Sequence, residues 1–214
     1  RSDFQQQFGQ QFKLLGEELD LQWRSLVSTL EFGHDFERMA IEPLPVRPIL
    51  TRGRGRQGTT CSIFAKRGWQ STGWLLRSGQ TYRLTAKGRF LIARPSGELW
   101  HCEPGGITIQ YHAGRPLGKL LAALVPLNRT AKLHPIASLN ASLNASLNAS
   151  LNASPGSPKV EAPSPMGFES LAVGLGDTVT PHRDVVLYLR VNESSAQLAD
   201  NRGSIEVSIE TMSE

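Results

Sequence analysis

The 214-residue sequence has few cysteines and no long apolar run. Cys61 and Cys102 are its only cysteines, so at most one intrachain disulfide can form and a disulfide-rich scaffold is excluded. Whether these two pair stays open, because the sequence does not show that their strands are neighbours. No segment reaches the roughly 18 consecutive apolar residues that a membrane-spanning helix needs, so no membrane span is expected.

Recognisable catalytic and metal-binding motifs are also missing. The five histidines are spread along the chain without HExxH or another two-histidine spacing, which makes a zinc site unexpected. There is no GxSxG elbow and no glycine-rich phosphate loop between a strand and a helix. His101 beside Cys102 and Glu103 would allow nucleophilic chemistry, but a structural cysteine at a strand end is the commoner meaning. We therefore expect a protein that is not an enzyme.

Size and charge point to one globular domain with an appendage. The chain is 39% hydrophobic and 20% charged, which is enough to bury one core. Its net charge of +4 arises largely from basic residues that lie close together in the sequence, Arg52, Arg54 and Arg56, followed by Lys66 and Arg67. Since no aromatic residues interleave with this cluster, it predicts a solvated loop and no nucleic-acid binding. The chain starts at Arg1 without a signal peptide, which we interpret as a processed product.

Residues 1–42 are predicted to form an amphipathic helix and an extension. Large apolar residues recur there at steps of three and four, which places them on one helical face: Phe4, Phe8, Phe12, Leu15, Leu19, Trp23, Leu26 and Leu30. Such a face predicts packing on the protein's own core, on a second copy or on a partner protein. Three prolines, at 43, 45 and 48, then begin a Pro/Arg-rich linker over residues 43–57.

Residues 58–214 read as short strands separated by turns. Several such strands without intervening helices predict an all-β fold, a two-sheet antiparallel β-sandwich of the jelly-roll, galactose-binding-domain-like kind. A low-complexity insertion at about 130–166 interrupts it with four Leu-Asn-Ala-Ser repeats, which have too little apolar surface to form a core. The repeats also bring the number of glycosylation sequons to six. Either tandem duplication or glycosylation in a secretory pathway explains them.

The last predicted strands, Val185–Val191 and Ser204–Ile209, read as an antiparallel hairpin around an oxygen-rich loop. The loop carries Asn192, Glu193, Gln197, Asp200 and Asn201. Carboxylate, amide and main-chain oxygens are the ligands that calcium prefers. The same residue types also dominate ordinary turns, so the loop alone leaves both interpretations open.

Four segments together carry a resemblance to a known family: SGQTYRLTAKG, PLGKLLAAL, VGLGDTVTP and LYLRVNESSAQLADNRGSIEVSI. They resemble the bacterial galactose-binding lectins of the LecA (PA-IL) type, which are small calcium-dependent jelly-roll sandwiches. The resemblance covers roughly residues 58–126 and 168–211 and is strongest in the last segment. The N-terminal helix and the repeat insertion have no counterpart in that family.

The resemblance implies a calcium site and a sugar site. The implied calcium ligands are Glu193, Gln197 through its main-chain carbonyl, Asp200 and Asn201, with a further carbonyl near Ile92 or Ala93. The implied sugar contacts are Glu193, Asp200, His101 and Glu103, and Trp100 is a nearby aromatic. The implied ligand is a glycan or galactoside-like sugar, and the implied location is secreted or at the cell envelope.

Two classes of function remain open on the sequence. The first is a lectin-like carbohydrate-binding module that depends on calcium held by the last loop. The second is a non-catalytic structural or assembly sandwich of a secreted or cell-envelope complex, with a degenerate sugar site and a partner docked on the N-terminal helix. Fold resemblance does not decide between them, because function depends on the site.

Overall fold

The computed structural model describes residues 13–49, 59–94, 97–127 and 170–212, with the side chains of the first helix described from Asp20 onward. Within these ranges there are two helices, α1 (Lys13–Thr29) and α2 (Phe36–Met39), and thirteen strands. The strands are β1 (Arg47–Pro48), β2 (Thr59–Phe64), β3 (Gln70–Leu76), β4 (Tyr82–Lys87), β5 (Phe90–Ala93), β6 (Leu99–Cys102), β7 (Ile107–His112), β8 (Arg115–Leu117), β9 (Leu120–Pro126), β10 (Ser170–Ala172), β11 (Gly176–Val179), β12 (Val185–Val191) and β13 (Ser204–Thr211).

Two β-sheets pack together as a sandwich. One has five strands in the order β1-β3-β12-β9-β10, and the other has four in the order β11-β4-β13-β2. Every pairing in them is antiparallel except the two-residue pairing of β1 with β3. Buried side chains from both sheets, among them Leu84, Leu187 and Ile205, share one apolar core. The predicted two-sheet antiparallel sandwich with an N-terminal α-helix is confirmed.

Strand β12 runs through the middle of the five-stranded sheet and is buried along its whole length. It pairs with β3 and β9, whereas β13 pairs with β2 and β4 in the other sheet. The predicted hairpin of these two strands is therefore wrong, although both strands exist. Alternating hydrophobicity identifies a strand without specifying its partner. Residues 192–203, called the crossing loop below, carry the chain from one sheet to the other.

Helix α1 packs on the outer face of the five-stranded sheet. Leu21 joins a second apolar cluster that includes Ile41 and Tyr188, and the Gln22 side chain exchanges two hydrogen bonds with the Ile41 main chain. Trp23 and Leu30 are each 60% exposed, so the predicted inward face is wrong at these positions. The side chains that dock α1 lie on a neighbouring face of the helix, where Ser25 is also buried. The predicted face from Phe4 to Leu19 lies outside the described side chains.

Strands β9 and β10 flank the predicted low-complexity insertion. They pair with each other at the edge of the sheet, with Ser170 opposite Ala123. The chain therefore leaves and rejoins the sandwich at one place. The insertion itself, most of the Pro/Arg-rich linker and the first twelve residues lie outside the described residues, so the division of the chain into three parts stays a prediction. In the described ranges, neither helix is both long and apolar enough to cross a membrane.

Candidate functional site

Asparagine side chains anchor both ends of the crossing loop. Asn192 Nδ2 donates at 2.9, 3.1 and 3.0 Å to the carbonyl oxygens of His112, Arg115 and Pro116. Asn201 Oδ1 accepts from the Ala93 N–H at 3.0 Å, and its Nδ2 donates to the Ala65 carbonyl at 3.3 Å. Both amides therefore hold the loop to the main chain of neighbouring strands.

Asn192 is also the first residue of a predicted glycosylation sequon. Its side chain is 3% exposed and makes the three hydrogen bonds described above. A glycan cannot be attached at this amide in the folded protein. The other five sequons lie outside the described residues.

Two opposite charges are buried where β12 enters the crossing loop. Arg190 is 5% exposed and Glu193 is 0% exposed. The Arg190 guanidinium donates to the main-chain carbonyls of Val191 and Glu193, and it lies 5.6 Å from the centroid of the Trp69 ring. Burial raises the pKa of Glu193 to about 7. The hydrogen bond from the Ser194 N–H and the charge of Arg190 act in the opposite direction and reduce this shift. Burial also lowers the pKa of Arg190 to about 10, which leaves it charged at neutral pH. Desolvation thus outweighs the attraction between the two groups.

The predicted calcium ligands are not gathered around one cavity. Glu193 faces a cavity beneath α1, whereas Gln197 and Asp200 are exposed on the loop. Asn201 already uses both polar atoms of its side chain on main-chain groups. No group of three or more His, Cys, Asp or Glu side chains in the described ranges is arranged to hold a metal ion. The residues as placed do not fit a shell of six to eight oxygens, and calcium dependence stays a prediction.

An open groove of about 890 Å³ lies beside the hairpin of β5 and β6. His101 and Glu103, two of the predicted sugar contacts, line it together with Arg89 and Arg202. Glu103 Oε1 accepts from Arg89 Nε at 2.9 Å. The main chain of Arg202 exchanges hydrogen bonds of 2.8 and 3.0 Å with that of Leu91, which fixes the start of β13 against β5. The groove therefore has a rigid main-chain base and a polar rim.

The other predicted sugar contacts lie away from this groove. Trp100 precedes His101 in β6 and points to the opposite face, where the Arg94 guanidinium lies 3.9 Å from its ring centroid. Glu193 and Asp200 do not line the groove either. The structure thus brings His101 and Glu103 together and separates both from Glu193, Asp200 and Trp100.

Both cysteines carry free thiols. Cys102 is buried at the end of β6, and its Sγ donates to the Glu103 carbonyl at 3.3 Å. Burial raises the pKa of each thiol to about 12, so both are protonated at neutral pH. The sequence left a disulfide between Cys61 and Cys102 open, and the structure has none. Cys102 also lacks the thiolate that nucleophilic chemistry beside His101 would need.

The segment that follows α1 docks on the crossing loop through Glu31. The Glu31 carboxylate accepts from Ser194 Oγ at 2.8 Å, from Ser195 Oγ at 2.7 Å and from the Ser195 N–H. Burial alone would raise the pKa of Glu31, but these hydrogen bonds prevail and hold it below its ordinary value. The Asp35 N–H also donates to the Ser195 carbonyl at 3.1 Å. The segment from Glu31 to Asp35 is therefore part of the folded unit.

Replacing Glu31 with alanine should loosen this segment. The change leaves the Ser195 N–H and two hydroxyl groups without their acceptor, and hydrogen bonds to a charged group contribute about 2 kcal/mol to stability. We expect a loss of about that size in urea denaturation and faster protease cleavage between α1 and α2. Glu37→Ala is the control, because Glu37 is exposed. Identical denaturation and cleavage for the two variants would contradict a docking role for Glu31.

Arg190, Glu31 and His112 were not among the functional residues predicted from the sequence. One signal was available for Arg190, which interrupts the apolar run VVLYLRV of a central strand. A charge inside such a strand is almost never buried without a partner. Glu31 and His112 gave no comparable signal, because only the fold brings them near the crossing loop.

No family model and no curated protein matches the chain. The structure is similar to the N-terminal domain of EclA, described as a PllA-like lectin, with a TM-score of 0.42 and 16% identity over 72% of this chain and 95% of that one. It is also similar to PliG of Aeromonas hydrophila, a periplasmic inhibitor of g-type lysozyme, with a TM-score of 0.32 and 7% identity over 80% and 97% of the two chains. Likeness at this distance carries no functional information.

Proposed function

We propose that the sandwich is a non-catalytic module that binds a glycan in the groove beside β5 and β6. The supporting observation is that four exposed polar side chains, Arg89, His101, Glu103 and Arg202, meet at the rim of one groove. Sugar hydroxyl groups both donate and accept hydrogen bonds, and guanidinium, imidazole and carboxylate groups supply matching partners. The secreted or cell-envelope location stays a prediction from the lectin resemblance.

Each rim side chain has a distinct role in this proposal. Arg89 holds the Glu103 carboxylate through one oxygen, which leaves the other oxygen to accept from sugar hydroxyls. His101 offers a ring nitrogen from the neighbouring position on the hairpin. Ile107 lines the same groove and gives the C–H face of a sugar an apolar contact. A galactoside-like sugar is the first ligand to try, since the resemblance implied it.

Retention on an immobilised galactoside tests the groove. The double variant His101→Ala/Glu103→Ala should weaken binding at least tenfold, because the loss of two hydrogen-bonding groups corresponds to roughly 1.4 kcal/mol or more. Lys87→Ala is the control, since Lys87 is exposed and lies outside the groove. Equal retention of the double variant and the wild type would refute binding at this groove.

The same column tests calcium dependence. Because the loop residues do not gather around one cavity, we infer that the groove side chains contact the glycan directly. Retention of the wild type should then persist in excess chelator. Loss of retention in chelator, together with a melting temperature raised by calcium, would instead support the calcium-dependent site implied by the lectin resemblance.

The second candidate is an assembly module that docks a partner protein or a second copy through α1. The observation in its favour is the 60% exposure of both Trp23 and Leu30, since large apolar side chains outside the core mark interaction surfaces. Under this function no glycan is retained, and Trp23→Ser/Leu30→Ser lowers the mass of the assembly in light scattering.

A further inference from the structure

A second cavity, of about 380 Å³, lies beneath the C-terminal end of α1 and shares no lining residue with the groove. Its walls include Ser28, Glu31, Trp69, His112, Arg190 and Glu193. The volume is near the lower end of the range for small-molecule sites. Two of these side chains, Arg190 and Glu193, are charged and more than nine-tenths buried.

The two buried charges are not neutralised by a hydrogen-bonded group of opposite charge among the described residues, and Glu193 keeps one unsatisfied oxygen. Among the described residues, Glu193 Oε2 has no hydrogen bond of good distance and angle, and a weaker contact from the Asn201 side chain lowers the pKa of this carboxyl only in part against its burial. Arg190 donates through Nε and Nη2 to main-chain carbonyls, and neither hydrogen bond runs to a carboxylate of the described residues. A buried ionised group without a partner destabilises the folded state. In native proteins such groups are hydrogen-bonded by water, an ion or a ligand.

The two groups do not satisfy each other. Arg190 Nη2 reaches the main-chain carbonyl of Glu193 and not its carboxylate. The remaining charged groups of the lining are already held in place, Arg115 by two hydrogen bonds to Ser170 and Glu31 by the serines of the crossing loop. The cavity lining therefore contains one buried positive group and one buried negative group whose charged ends are not hydrogen-bonded to each other.

We propose that this cavity binds a small zwitterion, such as a free α-amino acid, with its carboxylate on Arg190 and its ammonium group on Glu193. A zwitterion satisfies both buried charges without adding net charge to the cavity. A simple anion or cation would be attracted by one group and repelled by the other. The Trp69 ring, which lines the same cavity, provides an apolar wall for a short ligand side chain. This site is independent of the groove proposed above.

Binding of a zwitterion should strengthen as the pH rises through neutrality. The ammonium group needs Glu193 ionised, and burial places the pKa of that carboxyl at about 7. The other charged or titratable groups that line the cavity are Glu31 before α2, His112 in β7, Arg115 in β8 and Arg190 in β12. His112 has its pKa lowered by burial, so it is neutral over most of this range.

Matched small molecules test the class of ligand. We expect at least one of glycine, L-alanine and L-serine to raise the melting temperature and to give a saturable signal in titration calorimetry at pH 8. Propionate lacks the ammonium group and 2-aminopropan-1-ol lacks the carboxylate, and each should bind at least tenfold more weakly. Comparable binding of either, or of D-galactose, would overturn the zwitterion proposal. If none of the three amino acids binds, the proposal is also overturned, and the cavity then holds only solvent.

Variants locate the binding. Glu193→Gln keeps the shape of the side chain, removes the charge and should weaken amino-acid binding at least tenfold. Glu206→Gln makes the same chemical change at an exposed position of β13 and should have no effect. Ser28→Trp, on the exposed surface of α1 at the cavity wall, should block binding without touching a charged group. Unchanged affinity in Ser28→Trp and in a folded Glu193→Gln would place the ligand elsewhere and refute the site.

Discussion

Replacing Arg190 with methionine is expected to lower the free energy of unfolding by about 3–5 kcal/mol at pH 8, the usual cost of removing one partner from a buried pair of charges. Arg190 is 5% exposed and donates hydrogen bonds to the main-chain carbonyls of Val191 and Glu193, where β12 ends and the crossing loop begins. Without it, the buried Glu193 carboxylate keeps its charge and loses the nearby cation that partly offsets the cost of burial. Urea denaturation monitored by tryptophan fluorescence measures the loss.

The size of this loss should depend on pH. At pH 5 Glu193 is already protonated in the folded state, because burial raises its pKa to about 7. Removing the Arg190 guanidinium at this pH therefore leaves no unpaired negative charge on Glu193. The penalty at pH 5 should therefore be clearly smaller than at pH 8. Adding Glu193→Gln to Arg190→Met should recover much of the stability at pH 8. Arg183→Met, at an exposed bend, serves as the control. A penalty independent of pH and of Glu193 would show that Arg190 acts by packing alone.

The second large effect is a fall in stability as the pH rises from about 4.5 to about 7. The pKa of Glu193 goes from its model-compound value of 4.5 in the unfolded chain to about 7 in the folded one. In this window the folded state binds more protons than the unfolded state, so unfolding becomes easier as the pH rises and the effect is complete above the folded pKa. At about 1.4 kcal/mol per pKa unit, the expected loss is roughly 3 kcal/mol.

Glu193→Gln isolates this contribution from all other titrating groups. The variant has no carboxyl group at position 193 that can ionise. The free energy of unfolding of the variant, minus that of the wild type, should therefore increase from pH 4.5 to pH 7. The hydrogen bonds of Glu31 to the crossing loop hold its pKa below the ordinary value despite burial, so its contribution to stability changes with pH in the opposite direction and is present in both proteins. Glu206→Gln should run parallel to the wild type. Parallel curves for Glu193→Gln and the wild type would mean that Glu193 is not desolvated in solution.

The sequence predicted local structure well and spatial neighbours poorly. Alternating apolar residues predicted the strands Val185–Val191 and Ser204–Ile209, and both are present as β12 and β13. The same alternation in β12 and β13 could not show that they belong to different sheets, because pairing depends on the whole fold. For α1, apolar spacing predicted a helix but not which of two adjacent faces would dock.

The candidate site shows the same limit. The alternation of side chains along a strand already implies that Trp100 and His101 point to opposite faces, so the sequence could have excluded their joint contact with one sugar. The separation of Glu193 from His101 could not be read in this way. It follows from the inward turn of the crossing loop at Glu193, which depends on the buried Arg190 and on Glu31 contributed by a distant segment.

The burial of Asn192 bears on how the protein can be produced. Its amide makes three hydrogen bonds to strand carbonyls in the folded state, yet Asn192-Glu-Ser is an acceptor sequence for oligosaccharide transfer. Transfer acts on unfolded chain and folding acts against it, so in a eukaryotic expression host the two processes compete for the same amide. A chain modified at Asn192 before folding could not form these three hydrogen bonds, so we expect it to fold less well than the unmodified chain. Expression in a bacterial host without oligosaccharide transfer should therefore give more folded protein than expression in a glycosylating host.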